Sequence, residues 1–315
     1  DNLKVYYSID DFQKLEKAAV TTGTFDGVHL GHRKILAQLN QSAKNIDGES
    51  VLLTFFPHPR MVLQPDLDLK LLNSQKEKIE LLKSTGLDHL IIHPFTAEFS
   101  RTSSLDFVRN ILVNQIGAKK LVIGYDHHFG RNREGSFEHL KEFGPLYGFE
   151  VEEISAQDID DTTVSSTKIR KAISEGTIEI ANQYLDYEFP LSGKVVPGEK
   201  IGHTIGFPTA NIVVGDSYKI IPANGVYAVR VLFPNETEKE AAFGMCNIGI
   251  RPTFGGKFQT IEVHIFDFEE NLYGQQLEIR FVKSLRKEMK FEGPEALKKQ
   301  LFEDEKAARR TFNLR

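Results

Sequence analysis

The chain of 315 residues holds a single cysteine, Cys246. One thiol excludes an internal disulfide framework and a cysteine-built zinc site, and it fits a reducing compartment. Cys246 falls in a strand-like run, where a small buried residue is expected rather than a nucleophile. The chain also lacks a basic excess: 39 Lys and Arg face 44 Asp and Glu, a formal net charge of −5. That balance argues against a general nucleic-acid binder. It leaves room for nucleotides, whose sites need only a few local positive groups. No apolar run reaches the length of a transmembrane helix. Asp1–Asp10 has no basic segment followed by an apolar one, so a signal peptide is not expected and a cytoplasmic location is. No internal repeat or low-complexity segment is visible.

What is present is an ordinary soluble composition, 40% hydrophobic and 26% charged. A domain takes roughly 100–200 residues, so about two are predicted. The first half alternates. Strands are expected at Ala18–Thr22, Ser50–Phe56, Asp88–His93, Lys119–Gly124 and Phe149–Ser155. Helices are expected at His32–Asn45, Ser74–Thr85, Ser104–Ile116 (capped by Ser104) and Ser166–Glu175. This alternation predicts a parallel α/β sheet covered on both faces, with ligands at the carboxyl ends of its strands. After about Tyr187 the pattern becomes strand on strand: Leu191–Val196, Gly225–Phe233, Glu240–Ile248, Thr260–Phe266 and Gln276–Ser284. That predicts an antiparallel barrel or sandwich, followed by a terminal helix at Pro294–Phe312. The joint is expected near Asp186–Leu191, giving domains 1–186 and 187–315.

The first motif is Gly23-Thr24-Phe25-Asp26-Gly27-Val28-His29-Leu30-Gly31-His32-Arg33, between a strand and a helix. Exposed N–H groups and the helix dipole favour phosphate there. His29 and His32 add directed donors for charge that develops during phosphoryl or nucleotidyl transfer. Gly23, Phe25 and Asp26 belong to the same turn. A lone histidine at a helix start is commonly a cap; two, three apart and in this context, point to a phosphate site.

Three further loops join it on the same rim. Phe56-Pro57-His58-Pro59 ends the second strand, and His58 is either a ligand contact or a plain rim histidine. Gly124–Gly135 contains Asp126, able to accept from a ribose hydroxyl or an amine, and Arg131, able to contact phosphate. The adjacent His127 and His128 point apart too readily to be expected as metal ligands. Ser165, Ser166 and Thr167 open a helix and can cap its N–H groups. Arg170 lies one turn on, so all of these could converge on one phosphate.

The histidine stretch resembles the H-x-G-H signature of the nucleotidyltransferases. Taken together, Thr22–Arg170 is similar to the FAD synthetase (FMN adenylyltransferase) module of bacterial bifunctional flavin-cofactor enzymes. That resemblance implies a Rossmann-like domain in which FMN phosphate attacks the α-phosphorus of ATP, giving FAD and pyrophosphate. It implies that His29 and His32 bind the triphosphate and stabilise the transition state. Ser166, Thr167 and Arg170 would hold phosphates, and Asp126 would lie near the adenosine. Many relatives carry an acidic residue before the Pro-His-Pro turn; here it is Phe56, so no acidic role carries over.

The second half has its own motif, Gly198–Asn211. Gly198, Gly202 and Gly206 make a loop whose N–H groups can approach phosphates, with no Walker A ending. Thr209 and Asn211 alternate on an extended stretch and share a face. Two neutral oxygens side by side suit Mg²⁺ that also takes water and phosphates, or they belong to a polar turn before a strand. In Glu262-Val263-His264, Glu262 and His264 share a face. A carboxylate facing inward there is costly unless paired or catalytic, and beside an alcohol it can act as general base.

From about Leu191 onward the chain resembles riboflavin kinase. This implies a six-stranded barrel in which Glu262 deprotonates the riboflavin 5′-hydroxyl for attack on the γ-phosphorus of ATP. Thr209 and Asn211 would bind Mg²⁺ and phosphates, and Asn247 and Arg286 would line the flavin site. The expected partners are therefore riboflavin, FMN and ATP, with neither nucleic acid nor membrane. Another phosphorylated acceptor for the first domain, or a flavin sensor without turnover, are the competing expectations.

Overall fold

Strand β2 (Ala18–Thr22) carries small or β-branched residues throughout and is buried at four of its five positions, as fits a strand covered on both faces. It sits in the middle of a six-stranded sheet in the computed structural model of the protein. The structure describes residues 2–124, 130, 135–154, 164–198, 205–253 and 256–315. Along the first half run β1 (Lys4–Tyr6), β2, α1 (Leu30–Asn45), β3 (Glu49–Phe56), α2 (Pro59–Leu63), α3 (Gln75–Lys83), β4 (His89–Pro94), β5 (Ala118–Gly124), α4 (Phe137–Tyr147) and β6 (Glu150–Ile154). The sheet order is β1-β4-β3-β2-β5-β6 and every described pairing is parallel. Successive residues serve opposite layers: Leu52, Leu90 and Val122 pack in one core, Leu53, Ile91 and Ile123 in the other. The direction of winding reverses between β2 and β5. Ligands in such sheets bind at that crevice, beyond the carboxyl ends of the strands. The loop after β2 opens there.

Some expectations needed adjusting. Helix α1 starts at Leu30 because His29 is its cap. The Ser104–Ile116 segment is capped by Ser103, whose hydroxyl accepts from Asp106 N–H at 3.1 Å, and not by Ser104. From Phe107 its turns are of the wider π type. Strand β1 and helix α4 were not expected. Three residues carry too little periodicity to read, and Pro145 interrupts the pattern of α4.

The chain divides into two compact units, Asp1–Ser166 and Thr167–Arg315. The second follows through α5 (Ser166–Glu175), α6 (Ile178–Leu185), β7 (Phe189–Val196), β8 (Ala210–Val213), β9 (Gly225–Leu232), β10 (Ala242–Thr253), β11 (Gly256–Ile265), β12 (Gln276–Lys287) and α7 (Pro294–Thr311). The six strands close into an antiparallel barrel in the order β10-β11-β8-β7-β12-β9. Closure leaves this sheet no free edge. The register Ala210–Val263–Cys246–Tyr227 marks the inward face, and rings of Tyr227, Phe281 and Phe189 fill the interior. On the outer face Val226, Ala228 and Met245 pack with Ala308 of α7. Cys246 is the expected buried strand residue; burial first and nearby Glu262 second push its thiol up, away from nucleophilic use.

Candidate functional site

The loop after β2 is strained. Gly23 and Gly27 have φ of 159° and 94°, and the non-glycine Phe25 and Val28 have 51° and 41°. Positive φ at a β-branched valine is rare and persists only where the surroundings over-determine it. Here they do. Gly23 N–H donates to Leu53 C=O at 3.1 Å, and Gly27 N–H donates to Asn73 Oδ1 at 2.9 Å. The Thr24 carbonyl accepts from Thr54 Oγ1 at 3.2 Å and from Lys78 Nζ at 2.5 Å. Leu72 N–H donates to both Asp26 carboxylate oxygens at 3.0 Å, and Asn73 N–H to one at 3.2 Å. Ser166 Oγ donates to the Asp26 carbonyl at 2.7 Å.

The loop delivers a ring stack to the start of α1. His29 is 6% exposed, and its Nδ1 accepts from the N–H groups of Gly31 (3.1 Å) and His32 (3.3 Å). An imidazole nitrogen that accepts carries no hydrogen, so the ring proton resides on Nε2. The cap thereby sets which edge of His29 donates. The His29 and His32 rings stack with centroids 3.6 Å apart and planes 16° apart, and Phe25 packs on His32 at 4.6 Å. Both readings of His29, cap and directed donor, are therefore compatible on one ring.

The other expected residues of this half divide. Ser166 joins the loop directly, as above; Ser165 precedes α5, while Thr167 is exposed and Arg170 half-buried on it. Asp26 is 4% exposed with its carboxylate committed to backbone donors. That makes it a brace of the loop. His58 caps α2, its Nδ1 accepting from Arg60 N–H at 3.1 Å. It lines a small cleft with Thr24, Asp26, Asn73 and Lys78. Asp126 and Arg131 lie outside the described residues. Sequence reasoning missed Thr54, Asn73 and Lys78. The signal available was the Ser74 capping box with Glu77, which fixes the face that Lys78 presents.

In the barrel unit, a cavity of about 650 Å³ is lined by Gly198, Gly206, Thr209, Asn211, Val263 and Tyr273, among others. Gly202 lies outside the described residues. A Cβ on Gly198 would come within 1.9 Å of Asn211 Nδ2, so the loop and the asparagine approach as closely as a glycine permits. The ladder places Asn211 opposite Glu262 and Glu262 opposite Asn247, one row across β8, β11 and β10. Glu262 and His264 do share a face, but it is the outer one. Ile261, Val263 and Ile265 take the interior, which corrects the expectation of an inward carboxylate. Glu262 is 14% exposed and ion-paired with Arg251. His264 Nδ1 lies 2.7 Å from the Pro208 carbonyl, tying the segment before Thr209 to β11. Arg286 is turned to α7: its Nε donates to the buried Asp304 at 2.9 and 3.1 Å. It thus tethers the terminal helix through that pair.

Each unit therefore holds the main part of one of the two groups of candidate residues. Among the described residues no cluster of three or more His, Cys, Asp or Glu could hold a metal, and no helix is long and apolar enough to cross a membrane. Comparison with known proteins follows the same division. Residues 11–168 match the FAD synthetase family model and 185–312 the riboflavin kinase model. The bifunctional riboflavin kinase/FMN adenylyltransferase of Listeria monocytogenes is 39% identical, over 96% of this chain and 95% of the relative. That of Buchnera aphidicola from Schizaphis graminum is 38% identical, over 99% and 100%. That of Escherichia coli K12 is 34% identical, over 95% and 94%. A crystal structure titled macrolide-efflux protein, from Streptococcus pneumoniae, superposes with a TM-score of 0.86 at 30% identity, over 98% of this chain and 99% of that one. Full-length likeness to several relatives, with both family models in the same order, decides the matter: this chain belongs to the bifunctional riboflavin kinase/FMN adenylyltransferase family.

Proposed function

We propose that this protein phosphorylates riboflavin with ATP to FMN, and then transfers AMP from a second ATP to FMN, giving FAD and pyrophosphate. We assign adenylyl transfer to residues 1–186 and phosphorylation to 187–315. The observation that carries the assignment is the ring stack of His29 and His32, held in a strained loop at the sheet's switch point. It supplies donors where a triphosphate meets a helix N-terminus.

In the first step Glu262 accepts the proton of the riboflavin 5′-hydroxyl as that oxygen attacks the γ-phosphorus. Arg251 must yield its ion pair for the hydroxyl to approach. Phosphoryl transfer asks mainly for positioning and charge stabilisation, which the Gly198 loop, Thr209 and Asn211 provide. Thr209 and Asn211 offer neutral oxygens at the cavity wall, the donor type that suits Mg²⁺ shared with nucleotide phosphates. When bound there, that ion would neutralise charge on the phosphates. In the second step His29 Nε2–H and His32 stabilise charge on the α-phosphoryl oxygens as the FMN phosphate displaces pyrophosphate. Ser166, Thr167 and Arg170 would hold the leaving phosphates.

The test is one time course. Purified protein with riboflavin, ATP and Mg²⁺ should accumulate FMN first and FAD after it. No FMN ends the kinase reading; FMN that never becomes FAD, even when added pure, ends the adenylyl-transfer reading.

A further inference from the structure

Lysine is rarely buried, because an ammonium in a protein interior loses hydration that packing does not replace. Lys78 is 5% exposed, in the first turn of α3. An apolar side chain would fill the same place without that cost. Its Nζ instead reaches across to the loop after β2 and donates to the Thr24 carbonyl at 2.5 Å, with Thr54 Oγ1 at 3.4 Å. Thr24 lies between Gly23 and Phe25, both at positive φ. The segment that precedes α3 grips the next two residues, through Leu72 and Asn73 on Asp26 and Asn73 on Gly27. Residues 72–78 thus hold one side of the loop whose far end carries His29 and His32.

We infer that Lys78 is a positioning residue for adenylyl transfer: by holding the Thr24 carbonyl it fixes the strained loop that presents His29 and His32. The inference rests on the adenylyl-transfer reading above. The charged and titratable groups facing Lys78 are Asp26 from the loop and His58 from the turn after β3. On its own element, the Glu77 carboxylate is turned back to Ser74 N–H at 2.7 Å. Burial is the larger influence and lowers the Lys78 pKa to about 8, against the opposing pull of Asp26. The grip on Thr24 therefore weakens as pH rises through about 8.

The full-length Lys78→Met variant tests this, with FAD formation from FMN and FMN formation from riboflavin measured side by side. Misplaced catalytic groups lower turnover rather than binding. The kcat for FAD formation should fall about tenfold or more. KM for ATP and FMN should move less than about threefold. FMN formation should be unchanged. In the unaltered protein, kcat for FAD formation should decline above pH 8 in a limb that FMN formation lacks and Lys78→Met has lost. A folded Lys78→Met variant with unaltered kcat, or with the same declining limb, overturns the proposal. Should Lys78→Met not fold, Lys78→Arg decides: a limb moved to higher pH supports the proposal and an unmoved one overturns it. Unaltered protein that makes no FAD from FMN fails the adenylyl-transfer reading instead, a result visible before any variant is compared.

Discussion

Asn211 and Glu262 stand directly opposite each other across β8 and β11, so the residue assigned to the phosphates and the residue assigned to the hydroxyl share one rung of one ladder. Directly opposed side chains on one face lie about 5 Å apart at Cβ. That is a fitting separation for a group held between a phosphoryl donor and a base. Glu262→Gln keeps the shape and removes the proton acceptor. FMN formation should fall by roughly 10²–10⁴, the range of a general base. FAD formation from added FMN should stay as it was. If a folded variant loses both activities, the separation into two sites is wrong.

His29 does two jobs that substitution can separate. Asparagine is a good N-cap and alanine is not. His29→Ala should lower stability by about 1 kcal/mol and stop FAD formation. His29→Asn should recover the stability without recovering the activity. Thermal unfolding beside the FAD assay reads both. Activity in His29→Asn would reduce the ring to a cap.

Gly198→Ala should act on Asn211 rather than on the fold. The atoms a Cβ would meet belong to the Asn211 amide, which can swing aside. Unfolding should therefore be nearly unchanged, while KM for ATP in riboflavin phosphorylation rises. An unchanged KM would remove the Gly198–Asn211 approach from the site.

Asp304 is 3% exposed and holds Arg286 and Gln300. Removing one member of a buried pair leaves the other charge without its counterpart, at a cost of about 3–5 kcal/mol. Asp304→Ala should lower the denaturant midpoint of the barrel unit accordingly. Replacing both partners with apolar residues should recover much of the loss. A neutral Asp304→Ala would show that α7 is held by Ala308 and its apolar neighbours alone.

Lys78 also makes stability depend on pH, with a definite sign. Its folded value is about 8 and its ordinary value 10.5, so between these the unfolded chain binds more protons. Stability therefore rises with pH across that window. The penalty is full below about 8 and gone above about 10.5. Urea unfolding of the unaltered protein, compared with Lys78→Met, should show a difference that changes by up to about 3 kcal/mol over that range. A difference flat in pH would mean that the ammonium is hydrated in the folded state. The direction is opposite to that expected for FAD formation, which declines over the same rise.

Much of this was legible in the order of residues. Apolar runs such as Val51–Phe56 gave the parallel sheet, because a strand covered on both faces shows no alternation. The turn of His29 and His32 was legible because its chemistry and its place between strand and helix coincide. Strand β8 was harder: Ala210–Val213 is four residues long and has too little pattern to count as the sixth barrel strand. The inward or outward direction of Glu262 was not legible either. Alternation tells which residues share a face, but which face is inside depends on the strands that close around it. The structural partners of Asp26 and Arg286 were not legible, for one reason. A charged residue beside a motif suggests a ligand, while its real partners, Leu72 and Asp304, lie 46 and 18 positions away.

The open sheet, unlike the barrel, ends in two strands, each paired on one side only among the described residues. One, β1, is three residues long. The other, β6, reads Glu-Val-Glu-Glu-Ile; burial pushes the Glu152 carboxyl up, but hydrogen bonds from Lys120, Gln38 and Ser42 and the Lys120 charge outweigh it and hold it below its ordinary value. A stranger's strand arriving at either side would find too short a template or a row of negative charge. Short length guards the β1 side and the glutamates of β6 the other, so neutralising Glu150 and Glu153 together should raise self-association, read by light scattering.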